Sequence, residues 1–118
     1  MQVVMLIHEG PDDWAARNDP ARAPAYWGAW KTYADALGAS GLVRGGAGLD
    51  LPGKATVLRG RAGATQALDG PYAETREQLG GFFMLEVDDI AAAHAWAERC
   101  PAFGSGTIEL RPTLPMLG

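Results

Sequence analysis

Cysteine is almost missing from this chain: among 118 residues there is one, Cys100. No disulfide can close within the chain, and it reads as a protein of a reducing compartment, the cytoplasm. Histidine is scarce as well, with only His8 and His94, and neither belongs to a metal-type cluster, so no metal and no cofactor is expected. Basic charge is in short supply. Ten Lys and Arg face fourteen Asp and Glu for a net charge of −4, and no basic stripe gathers anywhere, which removes nucleic acid from the expected partners. Long apolar runs are lacking too. The longest early one, Val3 to Ile7 ("VVMLI"), has no basic lead and stops at His8 and Glu9, too short for a signal peptide or a membrane span. Gly45, Gly46 and Gly48 do not make a G-x-G-x-x-G opening a helix, so a dinucleotide fingerprint is excluded.

What is present suffices for one domain, residues 1–118, since a chain of this length buries somewhat over about 60% of its unfolded surface. Gln2 to His8 is a short apolar run before a Gly-Pro break and predicts a strand with two apolar faces, Val3, Met5 and Ile7 against Val4, Leu6 and His8. Glu9 to Arg22 is rich in Pro, Asp and Asn and reads as a loop with one helical turn near Asp12 to Ala16. Tyr26, Trp27, Trp30, Tyr33, Ala34 and Leu37 recur at steps of three and four, the spacing of an amphipathic helix begun near Pro24 and closed by Gly38 or Gly41. A second strand starts at Leu42 to Arg44 and runs into glycines that predict a bulge or a close backbone approach. Ala55 to Arg59 and Ala64 to Leu68 flank a glycine turn as a hairpin. Gly81 to Asp89 is a strand with two apolar faces. Asp88 is placed to cap a second helix with an inward stripe of Ile90, Ala93, His94, Ala97 and Cys100, ended by Pro101. "GTIELRP" alternates like a strand with one wet face.

The order β, α, β, hairpin, loop, β, α, β gives an α+β, ferredoxin-like βαβ-βαβ fold with an inserted hairpin and both helices on one sheet face. The other face is apolar and uncovered, and a second copy of the chain covers it most simply, as a homodimer.

The chemistry concentrates in "LDGPYAETREQLGGF", residues 68 to 82. Asp69 ahead of Gly70 and Pro71 either closes an Asx turn, with the Gly-Pro bond trans by default, or serves as a base beside a pocket. Glu74, Arg76 and Glu77 form either a solvated rim or a site in which Arg76 clamps an anionic group and Glu74 shares acid/base duty with Asp69. Thr75 and Gln78 match a capping box that Gly80 and Gly81 cut to one turn. Tyr26, Trp27 and Trp30 are helix-packing rings or the wall of a pocket for a flat ligand, and His8 is an interface histidine or the pocket's titratable group.

"LDGPYAETREQLGGFFMLEVDD", followed by "AWAERCP" and "IELRP", resembles the DGPF family within the YCII-related proteins over nearly the whole chain. The resemblance implies a dimeric α+β barrel. Some of its members stand beside, or are joined to, sigma factors of the extracytoplasmic-function type. More distant relatives include cofactor-free enzymes that use a His and Asp pair on small ring compounds. Asp69 matches the acid of that pair, whereas Ala23 to Ser40 contains no histidine and Tyr26 or Trp27 stands at the equivalent turn. Tyr72 replaces the Phe of the family motif. The expectation is a small-molecule-binding protein whose ligand, an aromatic or carboxylated metabolite, meets Tyr26, Trp27, Trp30, Pro71, Tyr72 and Arg76. Asp69, Glu74 and His8 would carry any proton transfer or elimination. The alternative is a non-catalytic sensor or accessory protein that binds a ligand or a transcription partner through the same loop.

Overall fold

The structure is a computed structural model and describes residues 1–73 and 75–115. Among them are six strands and three α-helices. In chain order these are β1 (Gln2–Glu9), α1 (Pro11–Asn18), α2 (Ala23–Ala39), β2 (Val43–Gly48), β3 (Thr56–Arg61), β4 (Ala64–Asp69), β5 (Gln78–Glu86), α3 (Ile90–Glu98) and β6 (Thr107–Pro112). The main sheet has the order β2-β5-β1-β6, and β3 and β4 form a separate two-stranded sheet. This is the strand order of a ferredoxin-like fold with a hairpin inserted between its second and third sheet strands.

The pleat of β1 sorts its residues. Val3, Met5, Ile7 and Glu9 are buried beneath the helices, while Val4, Leu6 and His8 are half-buried on the opposite face. Register carries that division across the sheet: Met5 pairs with Phe83 and Leu110, and Leu6 with Phe82 and Glu109. Tyr33 and Leu37 of α2 and Ala93 and Ala97 of α3 close the core on the helix side. The Tyr33 hydroxyl donates to the Trp96 carbonyl at 2.8 Å, so the largest buried ring also satisfies its polar end while linking the two helices.

Several expectations are corrected. The segment read as a loop with one turn is the eight-residue helix α1, started by Gly10 and Pro11 and drawn inward by Ala16 and Arg17. The cap of α3 is Asp89, whose Oδ1 accepts from the Ala92 N–H at 3.2 Å; Asp88 lies one residue too early. His94 is exposed, because the alanines of α3 face the sheet and turn His94 outward. Thr75 and Gln78 cap no helix: the Gln78 side chain donates to the Ala73 and Thr75 carbonyls and pins a turn ahead of β5. The Gly70-Pro71 peptide is cis.

Glycine decides two close approaches. Arg44 is the extra residue of a bulge in β2, as its register against β5 steps from Val43 to Gly45. At Gly46 a Cβ would sit 2.6 Å from the Phe82 carbonyl oxygen, so β2 can lie against β5 only without a side chain there. In the hairpin, Ala62 and Gly63 both have positive φ, which is the mirror-image turn that a two-residue connection requires.

Two measurements test this account. Asp89→Ala should cost about 1 kcal/mol in a urea melt by loss of the cap, and Asp88→Ala a few tenths at most. Burial pushes the Cys100 thiol from 9.0 up to about 11. The folded state therefore holds that proton more tightly than the unfolded one. Its contribution is complete below about pH 9 and is lost as pH rises through about 11, at no more than about 1 kcal/mol per pH unit. Wild type should lose stability over that window more steeply than Cys100→Ala.

Candidate functional site

A cleft of about 400 Å³ opens between α2 and the β2–β5 edge of the sheet. Tyr26, Trp27 and Trp30 project from one wall, and the opposite wall is nearly bare backbone, supplied by Gly46, Ala47 and Gly48 of β2 with Gly80 and Gly81 of β5. Ile7 and Phe83 add apolar surface, and Lys31 stands on the helix side, held to Asp35 at 2.8 Å. A slot with rings on one side and glycines on the other admits a flat body.

At its inner end are three polar side chains that belong to different elements. Glu9, the last residue of β1, is 1% exposed. Arg17 of α1 reaches it with Nη2 at 2.8 Å, forming an ion pair whose side chains are 8% and 2% exposed. The Tyr26 hydroxyl donates to Glu9 Oε2 and accepts from Arg17 Nε at 3.1 Å. Arg17 also donates to the Leu49 carbonyl at 2.5 Å and the Gly80 carbonyl at 3.1 Å. Its guanidinium lies 4.1 Å from the Trp14 ring centre and 5.3 Å from that of Trp27, so the cation is enclosed by aromatic faces as well as by acceptors. Both indoles are fixed in turn, Trp14 donating to the Glu9 carbonyl at 3.0 Å and Trp27 to the Arg17 carbonyl at 3.1 Å.

These contacts set the protonation states. Burial works against the charge of Arg17, yet its bonds to Glu9 and Tyr26 prevail and hold it above its ordinary value. Burial, and then the bond to Glu9, push the Tyr26 phenol above its ordinary value, so it keeps its proton.

Gly80 makes room for the pair. The β1–β5 register steps between Ile7 and His8 and leaves Gly80 as the unpaired residue of a bulge. A Cβ at Gly80 would meet Glu9 Oε1 at 2.5 Å and Arg17 Nη2 at 3.1 Å. The Gly80 carbonyl accepts from both the Leu49 N–H and Arg17.

The residues singled out in the sequence divide between separate places. Tyr26, Trp27 and Trp30 line the α2 cleft. His8 is on the other sheet face, its Nε2 3.6 Å from a Glu109 carboxylate oxygen, in a shallow depression shared with Thr75, Arg76, Glu77 and Thr107. Tyr72, 77% exposed, borders a further depression with His8, Leu51, Pro52 and Gln78. The Arg59 guanidinium lies 5.5 Å from the Tyr72 ring centre and ties the hairpin to the motif loop. Asp69 ends β4, is exposed, and is not among the residues lining the α2 cleft. Pro71 is half-buried in the loop that follows. Glu74 lies outside the described residues. Among the described residues no group of three or more His, Cys, Asp or Glu could hold a metal ion.

Glu9 and Arg17 were not singled out by the sequence reading. The signal for Glu9 was there: the inward set of Val3, Met5 and Ile7 continues at the same step of two to Glu9. Arg17 gave none, because nothing in a Pro- and Asp-rich segment marks which residue will be buried.

The family model for the YCII-related domain matches residues 1–117, in effect the whole length of this fold. The chain belongs to the YCII-related family. An uncharacterized protein of Rhizobium meliloti (strain 1021) is similar to this YCII-related chain, at 38% identity over 60 residues, which is 49% of this chain and 48% of that protein. The chain thus matches about half the length of that curated relative. No helix among the described residues is long and apolar enough to cross a membrane.

Arg17→Met should leave Glu9 as a buried charge without its partner and lower stability by about 3–5 kcal/mol. Chemical denaturation measures this, and a loss below about 1 kcal/mol would mean that the pair is solvated.

Proposed function

We propose that this YCII-related protein is a cytoplasmic homodimer that binds a small molecule in the α2 cleft. The observation that carries the reading is the cleft itself: an apolar slot between the rings of α2 and a glycine wall, ending in one polar cluster. Small-molecule sites combine mostly apolar lining with a few fixed polar groups in this way.

The second copy is proposed from the open sheet face. Val4 and Leu6 of β1 and Phe82 and Met84 of β5 form its half-exposed apolar centre, bordered by His8, Thr107, Glu109 and Arg111. An apolar centre with a polar border is the make-up of an interface, and roughly 800 Å² per partner would be typical. Two sheets closed face to face would enclose the depressions around His8, Arg76 and Tyr72, which within one chain are open. In this reading Asp69 is the base or orienter and Arg76, in the depression beside His8, holds an anionic group, with Glu74 sharing the acid/base duty. Any acid/base step, a proton transfer or elimination without cofactor, would run there on a molecule bound on that side, apart from the occupant of the α2 cleft.

A second reading is favoured by the exposure of Tyr72 and the outward placing of Asp69. In it the motif loop is a contact surface for a transcription partner of the sigma-factor kind, and the protein is a sensor without catalysis.

A thermal-shift screen of the protein against metabolites, with mass spectrometry of each hit for conversion, decides between them. The enzyme reading expects a converted hit and loss of turnover in Asp69→Asn with an unchanged melting temperature. A ligand bound but never converted supports the sensor reading, and no hit at all counts against the cleft. Analytical ultracentrifugation should show a dimer that Leu6→Glu dissociates. A single-chain wild-type species would end the homodimer reading.

A further inference from the structure

We infer that Glu9, Arg17 and Tyr26 form a hydroxyl-recognising floor, and that the molecule they take is an uncharged, ring-sized apolar body carrying one hydroxyl or N–H donor. This rests on the α2 cleft being the binding site proposed above, and specifies the chemistry of its occupant.

The floor has more free acceptors than free donors. Arg17 has five N–H groups. Nε donates to Tyr26, Nη2 to Glu9 and to the Gly80 carbonyl, and Nη1 to the Leu49 carbonyl, so among the described residues a single N–H is left over. Tyr26 donates its one O–H in a hydrogen bond to Glu9 and accepts from Arg17 on one lone pair, and keeps another lone pair. Each Glu9 oxygen accepts one bond, from Arg17 or from Tyr26, and can accept again. The spare capacity is thus mainly for accepting. A ligand oxygen that donates a proton satisfies it, whereas a carboxylate meets lone pairs on both Tyr26 and Glu9.

Charge points the same way. The positive charge of Arg17 is already matched by Glu9, and Lys31 is matched by Asp35. No unbalanced cation among the residues lining the cleft is left to draw an anion. The bond chain also strengthens the acceptor: a Tyr26 oxygen whose proton leans on a buried carboxylate is a better acceptor than a free phenol. The walls set the rest of the ligand, since Trp27 and Trp30 facing Gly46, Gly48 and Gly81 leave a gap suited to a planar apolar ring.

Three probes of the same ring size test this on the full-length chain: 2-naphthol, 2-methoxynaphthalene and 2-naphthoate. Affinities are measured by calorimetry, and the site is located by the indole N–H signals of Trp27 and Trp30 in NMR spectra. The expected result is that 2-naphthol binds roughly ten-fold or more tightly than either of the others. In Tyr26→Phe, which keeps the ring, its affinity should fall to within about three-fold of the methyl ether. Equal binding of naphthol and its ether to wild type, with both indole signals shifted, would overturn the hydroxyl floor and leave the cleft reading standing. Tighter binding of naphthoate would overturn it in favour of an anion site. A naphthol preference that survives in Tyr26→Phe would overturn the assignment to Tyr26. If none of the three moves the indole signals, the cleft reading fails and this inference with it.

Discussion

A charge taken out of water must find partners on every side, and Arg17 finds them on four other parts of the chain. Its guanidinium is bonded to the end of β1 through Glu9, to the bulge of β5 through Gly80, to the chain leaving β2 through Leu49 and to α2 through Tyr26, while Arg17 itself belongs to α1. Desolvating an isolated guanidinium costs several kcal/mol, so these elements are held where they can all reach it at once. The cluster is also the point at which the sheet stops being regular. The β5 bulge exists opposite Ile7 and His8, and its one unpaired residue has no side chain because the Glu9–Arg17 pair occupies the space. The cleft is what remains beside this anchor, since α2 is held away from β2 by its own large rings and β2 offers only glycine and alanine in return.

The main sheet separates two environments that serve different ends. Under the helices the core is aliphatic and closed, with Val3, Met5, Leu37 and Leu85 without exposed surface. On the other side the same strands present Val4, Leu6, Phe82 and Met84 half-covered, and the hairpin of β3 and β4 extends as a sheet of its own. Isolated two-stranded hairpins are marginal in water. Exposed Leu58 and Leu68 on this one give it apolar surface that the single chain does not cover. The open face and the hairpin thus both carry apolar surface that the single chain leaves in contact with solvent.

This division reassigns the roles of the conspicuous residues. The aromatic helix and the Asp-Gly-Pro loop do not share a pocket within one chain. Leu49 stands between the two regions, its carbonyl bound to Arg17 at the cleft floor while the residue borders the depression next to Tyr72. A small molecule in the cleft would therefore be recognised by Glu9, Arg17 and Tyr26, while the loop faces the side where a second chain would sit. The family membership gives the fold its context without naming a reaction.

The elements whose character is local were legible in the residues. Short apolar runs bounded by turn residues placed β1 and β5, alternation placed β6, steps of three and four placed α2 and α3, and glycines next to Arg44 announced a bulge, because each of these depends on period and backbone freedom within a few positions. Boundaries moved where competing local signals were equal, as with Asp88 and Asp89 at the start of α3. Pro11 and the acidic turn after it disguised α1, whose stability comes from Ala16 and Arg17 packing against distant strands. The candidate site was half visible: Tyr26, Trp27 and Trp30 stood out as rings on one helix, while Glu9 and Arg17 looked like ordinary loop charges. What the sequence by itself determined is the order of the strands and of the two longer helices, and the apolar character of both sheet faces. Only the tertiary structure decided that Glu9, Arg17, Tyr26 and Gly80 meet at one point. The reason is that such a meeting depends on sheet register and on burial, and these join residues far apart in the chain.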